Sequence, residues 1–185
     1  MPDLSRLPLQ EKMSPFSYRM MTLLFDLIDL FSSRVRMRAN DFGLEPGLTV
    51  VDYGCGPGRY AFHFSHIVGE TGRVYAVDIH ELALADVEKK IRRYKLNNVH
   101  TALAAGYTTG LPPAIADRVF ALDMFHGVRQ PDLLLAEFRR LCKPAGLLVI
   151  DDGHQPRQLT RQKILASGLW RIEKDMPDHL ECRPA

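Results

Sequence analysis

The stretch VVDYGCGPGRY, residues 50–60, constrains the chain more than any other. An apolar run of strand character ends in a carboxylate, Asp52, and then in Gly54, Gly56 and Gly58, three glycines within five residues. A strand that feeds a glycine loop and then a helix is the opening unit of an open α/β sheet. Ligands of such sheets bind outside the carboxyl ends of the strands, beside the switch in strand order. The rest of the chain continues the alternation. Apolar runs at 49–53, 73–79, 99–103, 118–122 and 146–151 read as strands, with helices at 59–68, 81–94 and 132–142 between most of them. Near-continuous apolar strands imply a parallel sheet covered on both faces. A last helix, about 159–167, precedes two strand-like pieces at 170–173 and 179–183, close enough for a hairpin and an antiparallel edge.

Upstream, Ser14-Pro15 signals a helix start, a capping hydroxyl followed by proline at the first helical position. The helix runs through SYRMMTLLFDLIDLF, with Arg19, Asp26 and Asp29 its only charges, and a second short helix covers about 34–42. At 185 residues the chain reads as one domain: a helical lid over residues 1–42 and an α/β core over 43–185. Cys55, Cys142 and Cys182 are odd in number and widely spaced, which fits free thiols in a reducing compartment better than disulfides or a zinc site. The first residues, MPDLSRLPLQEK, lack the apolar core of a secretory signal, and no uncharged apolar run reaches the roughly 18 residues of a membrane span. A cytoplasmic enzyme is the expected class. The net charge of +2 points neither toward nor away from nucleic acid.

Three ligands compete for the glycine loop. A triphosphate loop needs a GxxxxGK[ST] lysine, which is missing. A dinucleotide fingerprint needs GxGxxG, but here the spacing is GxGxG with Arg59 in the last position, and Asp52 at the entrance repels a pyrophosphate. A cationic, phosphate-free nucleoside turns Asp52 into an asset. S-adenosylmethionine, with its sulfonium and ammonium, is such a ligand, and bare glycines let its methionine part lie against the backbone. The next strand ends VYAVDI, placing Asp78 roughly twenty residues beyond the loop, where an acid accepts hydrogen bonds from ribose hydroxyls. Ile79 is placed to lie on the adenine. The bland alternative for Asp78 is a helix cap.

VVDYGCGPGRY, VYAVDI, GLPPAIADRVF and LLLAEFRRLCKPAGLLVID, in that order, resemble the class I S-adenosylmethionine-dependent methyltransferases, and most of all the small-molecule group typified by ubiquinone and menaquinone biosynthesis enzymes. The resemblance covers about residues 44–152. It implies a Rossmann-like, doubly wound, mostly parallel seven-stranded sheet with an antiparallel C-terminal hairpin strand and N-terminal covering helices. It also implies that Asp52, Gly54, Cys55, Gly56 and Gly58 frame the methionine part of S-adenosylmethionine, that Asp78 holds the ribose and Ile79 the adenine, and that Asp123 and Met124 border the methyl group. Relatives carry an acid after the glycine that follows the third strand; here the pair at this cofactor-binding position is Gly106-Tyr107, the acid is missing, and Tyr107 is left to accept a hydrogen bond from the adenine or stack on it. S-adenosylhomocysteine is the implied product.

The ends of the fourth and fifth strands, LDMFHGV and VIDDGHQP, bring Asp123, His126, Asp151, Asp152 and His154 to one edge. His126 or His154 is a candidate general base. Asp123, Asp151 and Asp152 form a weaker alternative, a divalent-cation site like that of catechol-type methyltransferases. Loop and helix caps are the bland reading. Phe16, Tyr18, Met20 and Met21 are candidates for an adaptable apolar lid, while Leu23, Leu24, Leu27, Ile28 and Phe31 are expected to pack on the sheet. The expected substrate is small and apolar or aromatic, contacted by Phe16, Tyr18, Met21 and Asp152. DNA is not expected: the fourth strand ends LDMF rather than in an NPPY-like turn, and the clusters RVRMR, KKIRRYK and RRLCK lack interleaved stacking aromatics. RNA or protein methylation is the alternative enzyme reading, and a non-catalytic S-adenosylmethionine-binding module the alternative of another class. The sequence leaves the chain a monomer or a homodimer.

Overall fold

The computed structural model describes residues 12–185. Seven strands form one sheet: β1 (Thr49–Tyr53), β2 (Arg73–Asp78), β3 (Val99–Leu103), β4 (Ala116–Ala121), β5 (Cys142–Ile150), β6 (Trp170–Asp175) and β7 (Leu180–Pro184). Their order is β3-β2-β1-β4-β5-β7-β6. The first five run parallel, and β7 pairs antiparallel with both β5 and β6. β1 pairs with β2 on one side and β4 on the other, so the strand order reverses beside β1 and opens a crevice at its carboxyl end.

Burial explains the doubly wound form. Successive β1 residues Val50 and Val51 are both fully buried but belong to opposite cores. Val50, Val74, Phe120 and Val149 pack under α2 (Arg34–Asp41), α3 (Arg59–Val68) and α4 (Glu81–Tyr94). Val51, Val119, Leu148 and Ile150 pack under α5 (Pro131–Leu141) and α6 (Arg157–Ala166). Period-two alternation with both phases apolar demands helices on both faces.

The largest departure from the sequence reading is the start of β5. β5 begins at Cys142, directly after α5, rather than at 146. Its pairing with β4 jumps from Ala116–Cys142 to Arg118–Leu147, so residues 143–146 of the KPAG turn bulge out of the ladder. The β3–β4 connection holds no helix. It is pinned by Glu137 of α5, which accepts from the Thr109 amide at 2.9 Å and hydroxyl at 2.8 Å, while Arg140 donates to the Leu111 carbonyl at 2.7 Å. Among the described residues, no helix is long and apolar enough to cross a membrane.

The N-terminal helix α1 (Pro15–Phe31) starts where expected, with Ser14 accepting from the Ser17 amide. Its orientation overturns an expectation. Leu23, Leu24, Leu27, Ile28 and Phe31 do not pack on the sheet; all are exposed, Phe31 by 82% and Leu23 by 65%. The inward face carries Tyr18, whose hydroxyl donates to Asp86 at 3.1 Å, and Phe25 and Asp29, which both engage Arg59. α1 roofs the crevice instead of covering the sheet.

Candidate active site

At the carboxyl ends of β1, β2 and β4 lies a cavity of about 340 Å³. Its floor is the glycine loop. Gly54 has φ +76°, and a Cβ there would stand 2.8 Å from Cγ of Met124, so only glycine lets the β1 and β4 ends meet. A Cβ on Gly56 would meet nothing within 4 Å. This part of the loop is bare backbone facing open space. Of the residues the sequence singled out for the cofactor, Asp52, Gly54, Cys55, Gly56, Asp78, Ile79, Tyr107, Asp123 and Met124 line the cavity. Gly58 and Gly106 do not: Gly58 is turned against Val87 of α4, where a Cβ would stand 2.8 Å from the valine methyl.

Two carboxylates set the electrostatics. Asp52 is only 2% exposed, and its Oδ2 has no hydrogen-bond partner among the described residues. Burial pushes its carboxyl up to about 7, against the lowering effect of the Ala61 amide. A buried, half-satisfied carboxylate facing a cavity calls for a cation to complete it. Asp78 is better served: Oδ2 accepts from the Gly56 amide and Oδ1 from the His80 amide, each at 2.9 Å. Burial still raises its carboxyl, and the two amides hold it back. These bonds fix the carboxylate across the loop and leave each oxygen a further lone pair. His80, not Asp78, is the cap of α4, accepting from the Leu82 amide at 3.2 Å.

Tyr107, in the position where relatives carry an acid, is held at both ends. Its carbonyl accepts from the Tyr53 hydroxyl at 3.0 Å, and its own hydroxyl accepts from the Gln130 amide at 3.1 Å. The ring is thereby fixed as part of the cavity wall.

The far rim separates the candidate catalytic residues. His126 lines the cavity and His154 does not; His154 is 81% exposed. Their rings meet edge to face at 4.8 Å between centroids. His126 packs so tightly on Gly153 that a Cβ there would stand 2.1 Å from its Nδ1. His154 Nε2 lies 3.8 Å from Asp123, too far for a hydrogen bond.

The acids at the fifth strand end are already engaged. Asp151 receives Arg38 at 3.0 Å and the Asp123 amide at 2.7 Å. Asp152 is ion-paired with Arg157 at 2.6 Å and lines a smaller cavity that shares Arg59, Tyr60 and Asp123 with the larger one. Among the described residues, no three His, Cys, Asp or Glu side chains are gathered as a metal site would need.

On the roof, Tyr18, Met21, Met13 and Phe25 line the cavity. Phe16 and Met20 do not; Phe16 is 75% exposed on the opposite side of α1. Tyr18 lies against His80, with ring centroids 4.7 Å apart. Sequence reasoning missed Arg59. It forms two bonds to Asp29 of α1, at 2.7 and 2.6 Å, and lies 4.3 Å from the Phe25 ring centre, tying the roof to the glycine loop. The signal was present: Asp29 is one of only three charges in an otherwise apolar helix.

The methyltransferase domain family matches residues 44–180. The ubiquinone/menaquinone biosynthesis C-methyltransferase UbiE of Shewanella piezotolerans is 29% identical over 130 residues, which is 70% of this chain and 52% of that protein. The chain thus spans about half the length of the curated relatives it matches. Among solved structures, a SAM-dependent methyltransferase from Aquifex aeolicus superposes with a TM-score of 0.81 at 24% identity, covering 94% of this chain and 100% of that one. Coclaurine N-methyltransferase bound to N-methylheliamine and SAH gives 0.52 at 25% identity, over 69% of this chain and 34% of that one. The match over residues 44–180 shows that the chain belongs to the methyltransferase domain family.

Proposed function

We propose that the chain transfers a methyl group from S-adenosylmethionine to a small acceptor with an aromatic body, of the reduced-quinone class. The observation that carries this reading is the cavity itself: an uncompensated buried carboxylate at one end, an apolar roof of Met13, Met21 and Phe25 over it, and a histidine at the far rim. The C-methyltransferases among the relatives, named for ubiquinone and menaquinone biosynthesis, support the acceptor class.

The cofactor, when bound, supplies an electrophilic methyl on a positively charged sulfur. The chain does the rest. Asp52 balances the ligand's positive charge from a buried position, where the interaction is stronger than in water. Asp78 offers its remaining lone pairs to a ribose, and Ile79 and the Tyr107 ring bracket a flat base. Met21 and Phe25 would exclude water and pack on an apolar acceptor ring, and positioning and desolvation of this kind supply most of the rate gain in such a transfer. His126 accepts the proton the acceptor loses as its new carbon–methyl bond forms and the carbon–sulfur bond breaks.

Incubation with S-adenosylmethionine labelled in the methyl group and a set of reduced quinones tests this. Label in the carbon framework of a quinol supports the proposal. Tight cofactor binding without transfer to any small acceptor would instead leave a non-catalytic binding module, and transfer to RNA or protein would replace the acceptor class.

A further inference from the structure

The outward face of α1 is as apolar as a core and is covered by nothing among the described residues. Phe16, Leu23, Leu24, Leu27, Ile28 and Phe31 are all exposed. At 3.6 residues per turn they project as one stripe roughly 140° wide. Soluble chains scatter single apolar residues over their surfaces, but a contiguous stripe of this kind marks a contact surface.

The ground beside the stripe identifies the partner. Phe31, at the end of the stripe, also lines a groove of about 980 Å³ between α1, α2, α3 and α4. Five basic side chains, Arg36, Arg59, Lys89, Lys90 and Arg93, line that groove against two carboxylates, Asp29 and Asp86. An apolar stripe running into a basic groove is complementary to a surface with an apolar interior and an anionic skin. We propose that α1 docks this protein on anionic lipid bilayers, with the stripe buried at the boundary between headgroups and acyl chains and the groove over acidic headgroups. The polar side of an ordinary interfacial helix supplies its own lysines and arginines; here that side is spent on Asp86 and Arg59, and the cations come from α2 and α4. One helix then has the bilayer on its outer face and the roof of the cofactor cavity on its inner face.

Flotation of the full chain with vesicles tests the docking without any methyl acceptor, so its outcome is independent of the acceptor class. Vesicles of phosphatidylcholine with about a third phosphatidylglycerol should carry the protein upward, and pure phosphatidylcholine vesicles should carry much less. The Leu23→Glu/Leu27→Glu variant should lose binding to both, while binding S-adenosylmethionine as the parent does. Arg36→Glu/Arg93→Glu should weaken binding to anionic vesicles by tenfold or more, since each cation near such a surface is worth about fivefold. The proposal is overturned if the parent stays behind with both vesicle types, including the case in which it elutes as a dimer that Leu23→Glu/Leu27→Glu splits. It is equally overturned if that variant floats as well as the parent.

Discussion

Replacing Asp52 by asparagine should make the empty protein more stable at pH 8 and a worse binder of its cofactor. The ordinary carboxyl value is 3.8, and burial raises that of Asp52 to about 7. Each unit is about 1.4 kcal/mol, so carrying the ionised carboxylate without a cation costs the fold on the order of 4 kcal/mol. The sign follows from linkage. The folded state holds this proton to higher pH than the unfolded state, so the favourable contribution is complete below about pH 4 and is lost as pH rises through 7. Asparagine keeps an acceptor for the Ala61 amide and carries no charge. Urea denaturation of both proteins at pH 5 and pH 8 reads the effect. The stability difference, Asp52→Asn minus parent, should rise by about 3 kcal/mol between the two. In calorimetry at pH 8 the same variant should bind S-adenosylmethionine about 10- to 100-fold more weakly, because a hydrogen-bonded charge partner is worth about 1.5–3 kcal/mol. A stability difference that is the same at both pH values refutes the reasoning, since Asp52 would then ionise as freely folded as unfolded.

Asp78→Ala removes the acceptor at the ribose position and should weaken cofactor binding about 30- to 1000-fold by calorimetry; unchanged affinity places the ribose elsewhere. His126→Gln should lower kcat about 100-fold or more with cofactor affinity intact, whereas His154→Gln, outside the cavity, should change kcat little in the same assay. Arg38→Ala removes one guanidinium from Tyr60, Asp151 and Asp178 together and strands the buried Asp151 carboxylate. It should cost about 3 kcal/mol, or roughly 10 °C in Tm by calorimetric scanning, and pairing it with Asp151→Asn should recover part of the loss.

The sheet was legible because its signal is redundant. Val50 and Val51 are both buried, so the strand reads as an unbroken apolar run wherever its ends fall. The glycine loop was legible because Asp52 and three close glycines exclude phosphate ligands by charge and spacing. α1 was not. A helix apolar nearly all round does not show in its sequence which side is inside, and the leucines were read as core by default. The inside is marked by the polar minority, Asp29 among them, because a charge in such a helix is kept where a partner such as Arg59 meets it. The β5 end was harder to read for a related reason. Arg38 and Asp151 lie 113 residues apart and Asp152 finds Arg157 in α6; only the fold brings these cations to acids that looked available for a substrate or a metal. Phe16 and Tyr18 are two positions apart, which on a helix sends one to solvent and the other to the cavity.

A crystal structure with S-adenosylhomocysteine bound tests the central claim most directly. The account predicts the ligand in the cavity below α1, its ammonium end at Asp52, its ribose hydroxyls on Asp78, and its sulfur open toward His126. A ligand lying in the groove lined by Lys89 and Arg93, or one whose sulfur is walled off from His126 by Tyr107 or Met124, would contradict it.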